Sequence, residues 1–168
     1  MINNLSLEEI KDSVEYQWRK SQIKTLLGVW IFVAVISLFL PIIYASRDLK
    51  LLGLGMSVWL VCLLCYGLLF GGGILFYFLK NRYLLKNYQK FQCYEVVLDR
   101  VSTSYMYTRS ISYTVDIVDE GTVKAVDTNP YFSSSFFAKF DPDDYNNKKV
   151  IGLYDDERNK FYIVKKVK

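Results

Sequence analysis

The chain contains no histidine and only three cysteines among its 168 residues. Without histidine there can be no Ser–His or Cys–His nucleophilic pair and no histidine-containing zinc site. Cys62 and Cys65 have the C-x-x-C spacing of redox and metal sites, but they lie in an apolar run, where a thiol stays protonated and inert. Cys93 stands alone, and we expect a packed thiol there. We therefore predict a protein that is not an enzyme and has no catalytic residues.

Familiar ligand-binding motifs are also missing. No Walker or Rossmann glycine pattern occurs, and the glycine triplet at 71–73 lies in an apolar run. Acidic residues cluster at 141–144 and 155–157, but the first cluster fails EF-hand spacing because Tyr145 and Asn146 occupy the positions of an oxygen ligand and a glycine. Solvated turns are the favoured interpretation of both clusters, and Ca²⁺ binding is the alternative. We predict no cofactor and no resident metal ion.

Charge is distributed unevenly along the chain. The formal net charge is +4, yet residues 1–92 carry ten Lys/Arg and five Asp/Glu, whereas residues 93–168 carry eleven and twelve. A domain that binds nucleic acid needs a basic face, so we predict that nucleic acid is not a partner. The basic surplus instead flanks the apolar runs, where it would attract anionic lipid head groups.

Two long runs, 25–46 and 51–79, contain no charged residue. About 20 helical residues cross the hydrocarbon core of a bilayer, and lipid requires every backbone polar group to be bonded within the segment. Both runs are therefore predicted to be transmembrane helices. Residues 47–50 are their only connection, which is short enough to force an antiparallel hairpin over residues 25–79, with the lipid bilayer as its surroundings.

The glycines suggest how this hairpin packs. Gly67 and Gly71 stand in the G-x-x-x-G relation on the second helix, and Gly28 is a small residue of the first. Small residues let membrane helices approach closely. Gly28, Gly67 and Gly71 are therefore predicted to form a packing face, either within the hairpin or between copies in a homo-oligomer. The alternative is that glycine is simply common in membrane helices.

Positive charges predict the orientation of the hairpin. Four Lys/Arg lie within residues 1–24 and four within residues 80–92, but the connecting loop has two. The positive-inside rule then places both termini in the cytoplasm of a multi-pass protein of the inner (plasma) membrane. Residues 80–92 are predicted to continue the second helix as a basic stalk at the head groups.

Residues 1–24 are predicted to form an amphipathic N-terminal helix. Ser6 and Glu9 match a capping box, and apolar residues recur at three- and four-residue spacing along one face. That face carries Leu7, Ile10, Val14 and Trp18. Trp18 precedes basic residues, a composition typical of the head-group level. The helix is expected either to lie at the membrane or to be a solvated helix that leads into it.

From Cys93 onwards the pattern changes to an alternation of period two, rich in Val, Ile, Tyr, Phe and Thr. Residues 93–168 are therefore predicted to form a small all-β cytoplasmic domain, either a bent sheet or a small barrel. The predicted strands are 94–101, 105–118, 122–127, 136–140, 149–154 and 160–167. One face of the longest run is expected to carry Ile111, Tyr113, Val115 and Ile117.

The last part of the chain has a characteristic order of elements. Residues 149–155 read KVIGLYD and residues 161–164 read FYIV, which is a strand, a Tyr-Asp turn and a second strand. With the two-helix layout, this resembles a loose group of bacterial proteins of unknown function that have two transmembrane helices and a C-terminal small β-domain. The Pro-Asn pair usual in that turn is replaced here by residues 155–159, DDERN. The resemblance implies a bacterial membrane protein and no particular activity.

Taken with the missing motifs, this layout predicts a membrane-anchored, non-enzymatic protein. Its β-domain is expected to bind a protein partner at the membrane, through an exposed strand edge or the region of Tyr105 and Tyr107. The alternative is an immunity or accessory protein whose membrane hairpin acts against a toxin or with a transporter. Ionisable groups inside the spans would mark a transport path, and neither run contains one.

Overall fold

A computed structural model describes residues 5–47, 52–104, 110–119, 121–132 and 141–167. Its helices are α1 (Leu7–Lys11), α2 (Val14–Ser37), α3 (Phe39–Arg47) and α4 (Leu52–Asn87), with 3₁₀ turns at Tyr88–Lys90 and Pro142–Tyr145. Its strands are β1 (Gln92–Val97), β2 (Arg100–Ser104), β3 (Ser110–Asp119), β4 (Thr122–Thr128), β5 (Tyr131–Phe132), β6 (Lys149–Asp155) and β7 (Lys160–Lys166). The predicted strand at 136–140 and the contact residues Tyr105 and Tyr107 lie outside the described residues.

The N-terminal segment is two helices rather than the single predicted one. Ser6 and Glu9 form the expected capping box at the start of α1. A second cap follows at Ser13, whose Oγ accepts a hydrogen bond from the Tyr16 N–H at 3.3 Å and begins α2. Because a Ser side chain satisfies a free N–H at a helix start, the chain turns between Lys11 and Val14.

The first apolar run is interrupted near its end. α2 ends at Ser37, and α3 resumes after Leu38. Pro41 explains the break, because it has no N–H to donate to the carbonyl of Ser37 and its ring crowds that carbonyl. The predicted span 25–46 is therefore helical in two pieces.

α4 packs antiparallel against α2 and α3. Its 36 residues extend from the second apolar run into the predicted stalk, 80–92, but the α-helix ends at Asn87 and a 3₁₀ turn follows. Gly73 lies beside Leu26 and Gly67 beside Trp30. Apolar side chains on the outer faces stay exposed: Phe32 is 65% exposed and Leu68 is 79% exposed. Two helical stretches, Val14–Ile43 and Gly55–Lys90, are long and apolar enough to cross a membrane.

The strands form one mixed sheet in the order β1-β6-β7-β4-β3-β2, and β5 pairs with β3. β4 and β7 run parallel, and the other pairs are antiparallel. The predicted first strand, 94–101, is corrected to two strands at opposite ends of this order. The chain leaves β1 at Leu98, whose side chain is fully buried and whose main chain bonds Lys148 and Asn147, so that β2 is free to pair with β3.

The long central strand confirms the predicted alternation. Its inward face carries Ile111, Tyr113, Val115 and Ile117, all at most 1% exposed. Gly152 in β6 allows a close approach at a register shift: an added Cβ would overlap the Phe161 ring and lie 2.8 Å from the Tyr162 carbonyl oxygen. Phe161 and Ile163 share the inward face of β7.

The N-terminal helices pack against both sides of β6 and β7. Trp18 joins the main core, where its ring meets Tyr77 and Tyr131 edge-on. The other side of the sheet forms a second core from Leu5, Ile10, Leu84, Leu153, Tyr162 and Val164. Trp18 is thus buried inside the protein, and α1 and the beginning of α2 form part of the folded domain.

Candidate functional site

The junction between the helices and the sheet contains a buried carboxylate. Glu15 is in the first turn of α2 and is completely buried. Its Oε1 accepts hydrogen bonds from Arg19 Nη2 at 2.5 Å and from Asn129 Nδ2 at 2.9 Å. Its Oε2 accepts one from the Tyr131 hydroxyl at 2.5 Å. A buried charge needs such pairing to offset its loss of hydration, and here the pairing ties α2 to the sheet.

Arg19 connects the same carboxylate to α4. It follows Glu15 by one helical turn, so both side chains lie on one face of α2. Its Nη1 donates to the main-chain carbonyl of Lys80 at 3.0 Å, and its guanidinium carbon lies 5.4 Å from the centre of the Tyr162 ring. One side chain therefore contacts α2, α4 and β7.

The segment between β4 and β5 supplies the sheet's contribution. β4 ends where Thr128 Oγ1 accepts the Tyr113 N–H at 2.9 Å in place of a ladder bond. Asn129 and Tyr131 then turn towards Glu15. Burial and the nearby Glu15 charge raise the pKa of Tyr131 well above its usual value, so its hydroxyl stays protonated and acts as a donor to the carboxylate.

Tyr162 has a second buried carboxylate as its partner. Its hydroxyl donates to Asp155 Oδ2 at 3.1 Å, and Asp155 Oδ1 accepts the Arg158 N–H at 3.3 Å. Burial, followed by the Asp155 charge, raises the pKa of Tyr162. Both acidic groups of the junction are therefore already engaged by donors within the protein.

A cavity of about 220 Å³ adjoins this network. It is lined by Arg19, Lys80, Tyr83, Asn129, Arg158, Lys160 and Tyr162. Four of these seven residues are cationic, and no carboxylate contributes to the lining. The Arg158 guanidinium stacks over the Tyr83 ring, 3.4 Å from its centre, and the Lys80 ammonium lies 4.3 Å from the centre of the Phe76 ring.

Among the described residues, no three His, Cys, Asp or Glu side chains are grouped so that they could hold a metal ion. Burial raises the pKa of the Cys93 thiol, which lowers the fraction of reactive thiolate. Cys62 and Cys65 are both free thiols.

The glycines predicted to pack the hairpin have different surroundings. An added Cβ at Gly67 would lie 3.6 Å from Trp30 Nε1, whereas at Gly71 it would meet no atom of the described chain within 4 Å. Gly28 is exposed. Gly73 was not part of the predicted packing face. The two helices come closer there than at Gly67, because an added Cβ at Gly73 would lie 3.0 Å from Leu26 Cδ1. A packing role for Gly71 would therefore need a second molecule.

The junction residues were missed because their sequence signals are common ones. Glu15 and Arg19 have the i,i+4 spacing of an ordinary surface pair, and Glu15 lies on the acidic side of an apparently amphipathic helix. Asn129-Pro130 is a typical loop opening. Only the long-range packing identifies these residues as partners.

The sheet also presents an accessible edge. Among the described strands, β2 is the last in the hydrogen-bonded order, and all five of its residues are exposed. At the neighbouring β3–β4 turn, Val118 and Val123 face each other across the strands while 64% and 66% exposed. Exposed strand edges can pair with another chain.

Comparison with protein-family models, with curated proteins and with solved structures found no match for this chain.

Proposed function

We propose that the chain is a non-enzymatic membrane protein whose helical hairpin anchors it in the plasma membrane (the inner membrane of a bacterium). Its β-domain binds an extended segment of a partner protein on the cytoplasmic side. The observation that carries the partner proposal is the exposed edge of β2 beside the Val118–Val123 pair. The sequence resemblance to bacterial two-helix proteins is consistent with this layout.

Exposed apolar side chains support membrane insertion. Leucine, isoleucine and phenylalanine side chains are exposed along the outer faces of α2 and α4, and each would cost free energy in water. Lipid removes that cost. The charge distribution supports the orientation, because basic residues flank the hairpin on the side of the β-domain.

The buried junction supports a domain held rigidly at the membrane. Arg19 and Glu15 connect the beginning of α2 to the sheet and to α4, and Trp18 is part of the sheet core. A partner bound on β2 would therefore be held at a fixed position relative to the bilayer surface.

Orientation is tested by thiol labelling. In a background without Cys62, Cys65 and Cys93, Asp48→Cys should react with an impermeant reagent in intact cells, and Asn146→Cys should react only after lysis. Labelling of Asn146→Cys alone in intact cells would contradict the proposed topology.

Partner binding is tested by photocrosslinking in native membranes. A benzophenone amino acid at Val101 of β2 or at Val118 should give one discrete adduct with another protein, whereas the same probe at exposed Lys148 should not. Val118→Lys should abolish the adduct at Val101 without unfolding the domain, since the side chain is exposed. Equal adducts at all three positions, or none at Val101 and Val118, would refute this contact. An adduct of twice the chain's mass would replace the partner with a second copy.

A further inference from the structure

The cavity at the junction has an unbalanced charge. Arg19 is paired with Glu15 at 2.5 Å. Within the described part of the chain, the other three cationic residues of the lining, Lys80, Arg158 and Lys160, form no ion pair with a carboxylate. Like charges gathered around one cavity repel one another, so an anion in this space would relieve their repulsion.

The donors are held in place before any ligand arrives. Arg158 is stacked on Tyr83, which leaves the edges of its planar guanidinium free to donate hydrogen bonds. The Lys80 ammonium lies over the Phe76 ring, 4.3 Å from its centre, and the Lys80 main-chain carbonyl accepts a hydrogen bond from Arg19. Preorganised Arg and Lys donors of this kind suit phosphate oxygens, which accept several charged hydrogen bonds at once.

The size and position of the cavity narrow the choice of anion. Drug-sized ligands occupy pockets of roughly 300–1,000 Å³, and this cavity of about 220 Å³ suits a smaller group. Lys80 is the first charged residue after the uncharged run 51–79, which is the level of the head groups if α4 spans the membrane. Basic pockets at the cytoplasmic ends of membrane helices are suited to anionic head groups.

We propose that this cavity binds a phosphate group, with the head group of an anionic phospholipid as its source. This site is separate from the proposed protein contact on β2. It lies where α2 and α4 meet β7, and none of its lining residues belongs to β2. A soluble phosphate has the same chemistry and is distinguished by experiment.

The experiment uses the full chain purified in a neutral detergent and isothermal titration calorimetry. The probes are short-chain phosphatidylglycerol, short-chain phosphatidylcholine and inorganic phosphate. Wild-type protein should bind phosphatidylglycerol more tightly than phosphatidylcholine. Lys80→Gln should weaken that binding about fivefold, the effect expected for one cation near an anionic head group, and it leaves the main-chain carbonyl of residue 80 in place.

Lys86→Gln is the matched control, because it removes the same charge from an exposed position on the same helix, outside the cavity. It should change the affinity less than twofold. Arg158→Gln is a second cavity variant, and its exposed side chain makes misfolding an implausible cause of lost binding. Charge-preserving Lys80→Arg should retain binding.

The outcomes separate the two sources. Phosphatidylglycerol binding that is weakened in both cavity variants supports a lipid site. Inorganic phosphate binding weakened in the same variants, without preference for phosphatidylglycerol, supports a phosphate site with a soluble ligand. Equal affinities in the Lys80→Gln and Lys86→Gln variants, or no binding of any anionic probe to wild-type protein, would overturn the proposal.

Discussion

Replacing Glu15 with glutamine should destabilise the protein more than any exposed charge change. The glutamine keeps the shape of the side chain and one oxygen acceptor, but it leaves Arg19 buried at 3% exposure without a counter-charge. Removing one partner from a buried ion pair typically costs about 3–5 kcal/mol. Arg19→Met should lower the free energy of unfolding by a similar amount, because it leaves the buried Glu15 carboxylate without its positively charged partner.

The double variant Glu15→Gln/Arg19→Met contains neither charge. Its glutamine oxygen can still accept from Asn129, and its amide NH2 can donate to the Tyr131 hydroxyl oxygen. The loss should therefore be near that of one single variant, about 3–5 kcal/mol instead of the sum. The coupling free energy should therefore equal about one single loss, about 3–5 kcal/mol.

Trp18 provides the assay. With Trp30→Phe and Trp59→Phe in the background, fluorescence during urea unfolding in mild detergent would report the sheet core alone. Glu8→Gln, at an exposed position of α1, should change the free energy of unfolding by less than about 0.5 kcal/mol. If Glu15→Gln behaves like Glu8→Gln, or if the two single losses add within about 0.5 kcal/mol, the network does not join the helices to the sheet.

Three further predictions concern separate contacts. Gly152→Ala should lower the free energy of unfolding by about 1–3 kcal/mol in the same assay, because the added Cβ would overlap the Phe161 ring. An unchanged free energy of unfolding would show that β6 and Phe161 are not this close. Lys165 holds the pKa of Glu9 down from 4.5 to about 2, so stability from this pair should be present above pH 4.5 and disappear as pH falls towards 2; a Glu9→Gln variant that loses stability just as steeply over that range would contradict this. Gly73→Leu should disturb hairpin packing, whereas Gly71→Leu should be tolerated in a monomer. If light scattering in detergent gives a lower particle mass for Gly71→Leu than for the wild-type protein, Gly71 packs between copies.

Local patterns were sufficient to predict helical structure over the two uncharged runs and to identify the inward face of β3. An uncharged run has one stable form in lipid, and strict alternation from Ile111 to Ile117 allows one buried face. The pairing partners could not be read in this way. β4 meets β7 in parallel across more than thirty residues of chain, and no local signal specifies such a contact.

The candidate site was harder to predict for an electrostatic reason. An acidic residue on a helix is ordinarily solvated, so the helical pattern alone favours a solvated position for Glu15. Its burial depends on Asn129 and Tyr131, which are more than a hundred residues away. The composition change at Cys93 suggests a domain boundary there. Trp18 and Ile10 nevertheless pack into the two hydrophobic cores of the sheet, although they precede that boundary in the chain.

The packing of residues 5–23 against β6 and β7 links folding to membrane insertion. These helices leave the ribosome on the order of ten seconds before the closing strands, at ordinary rates of synthesis. If the hairpin spans the membrane as proposed, the early and late segments meet only when the chain has crossed it twice. A chain that crossed once would leave Trp18 and Glu15 on one side and their partners on the other. Completion of the domain would thus distinguish correctly inserted molecules from misinserted ones, and the latter would expose an unfolded segment to proteolysis.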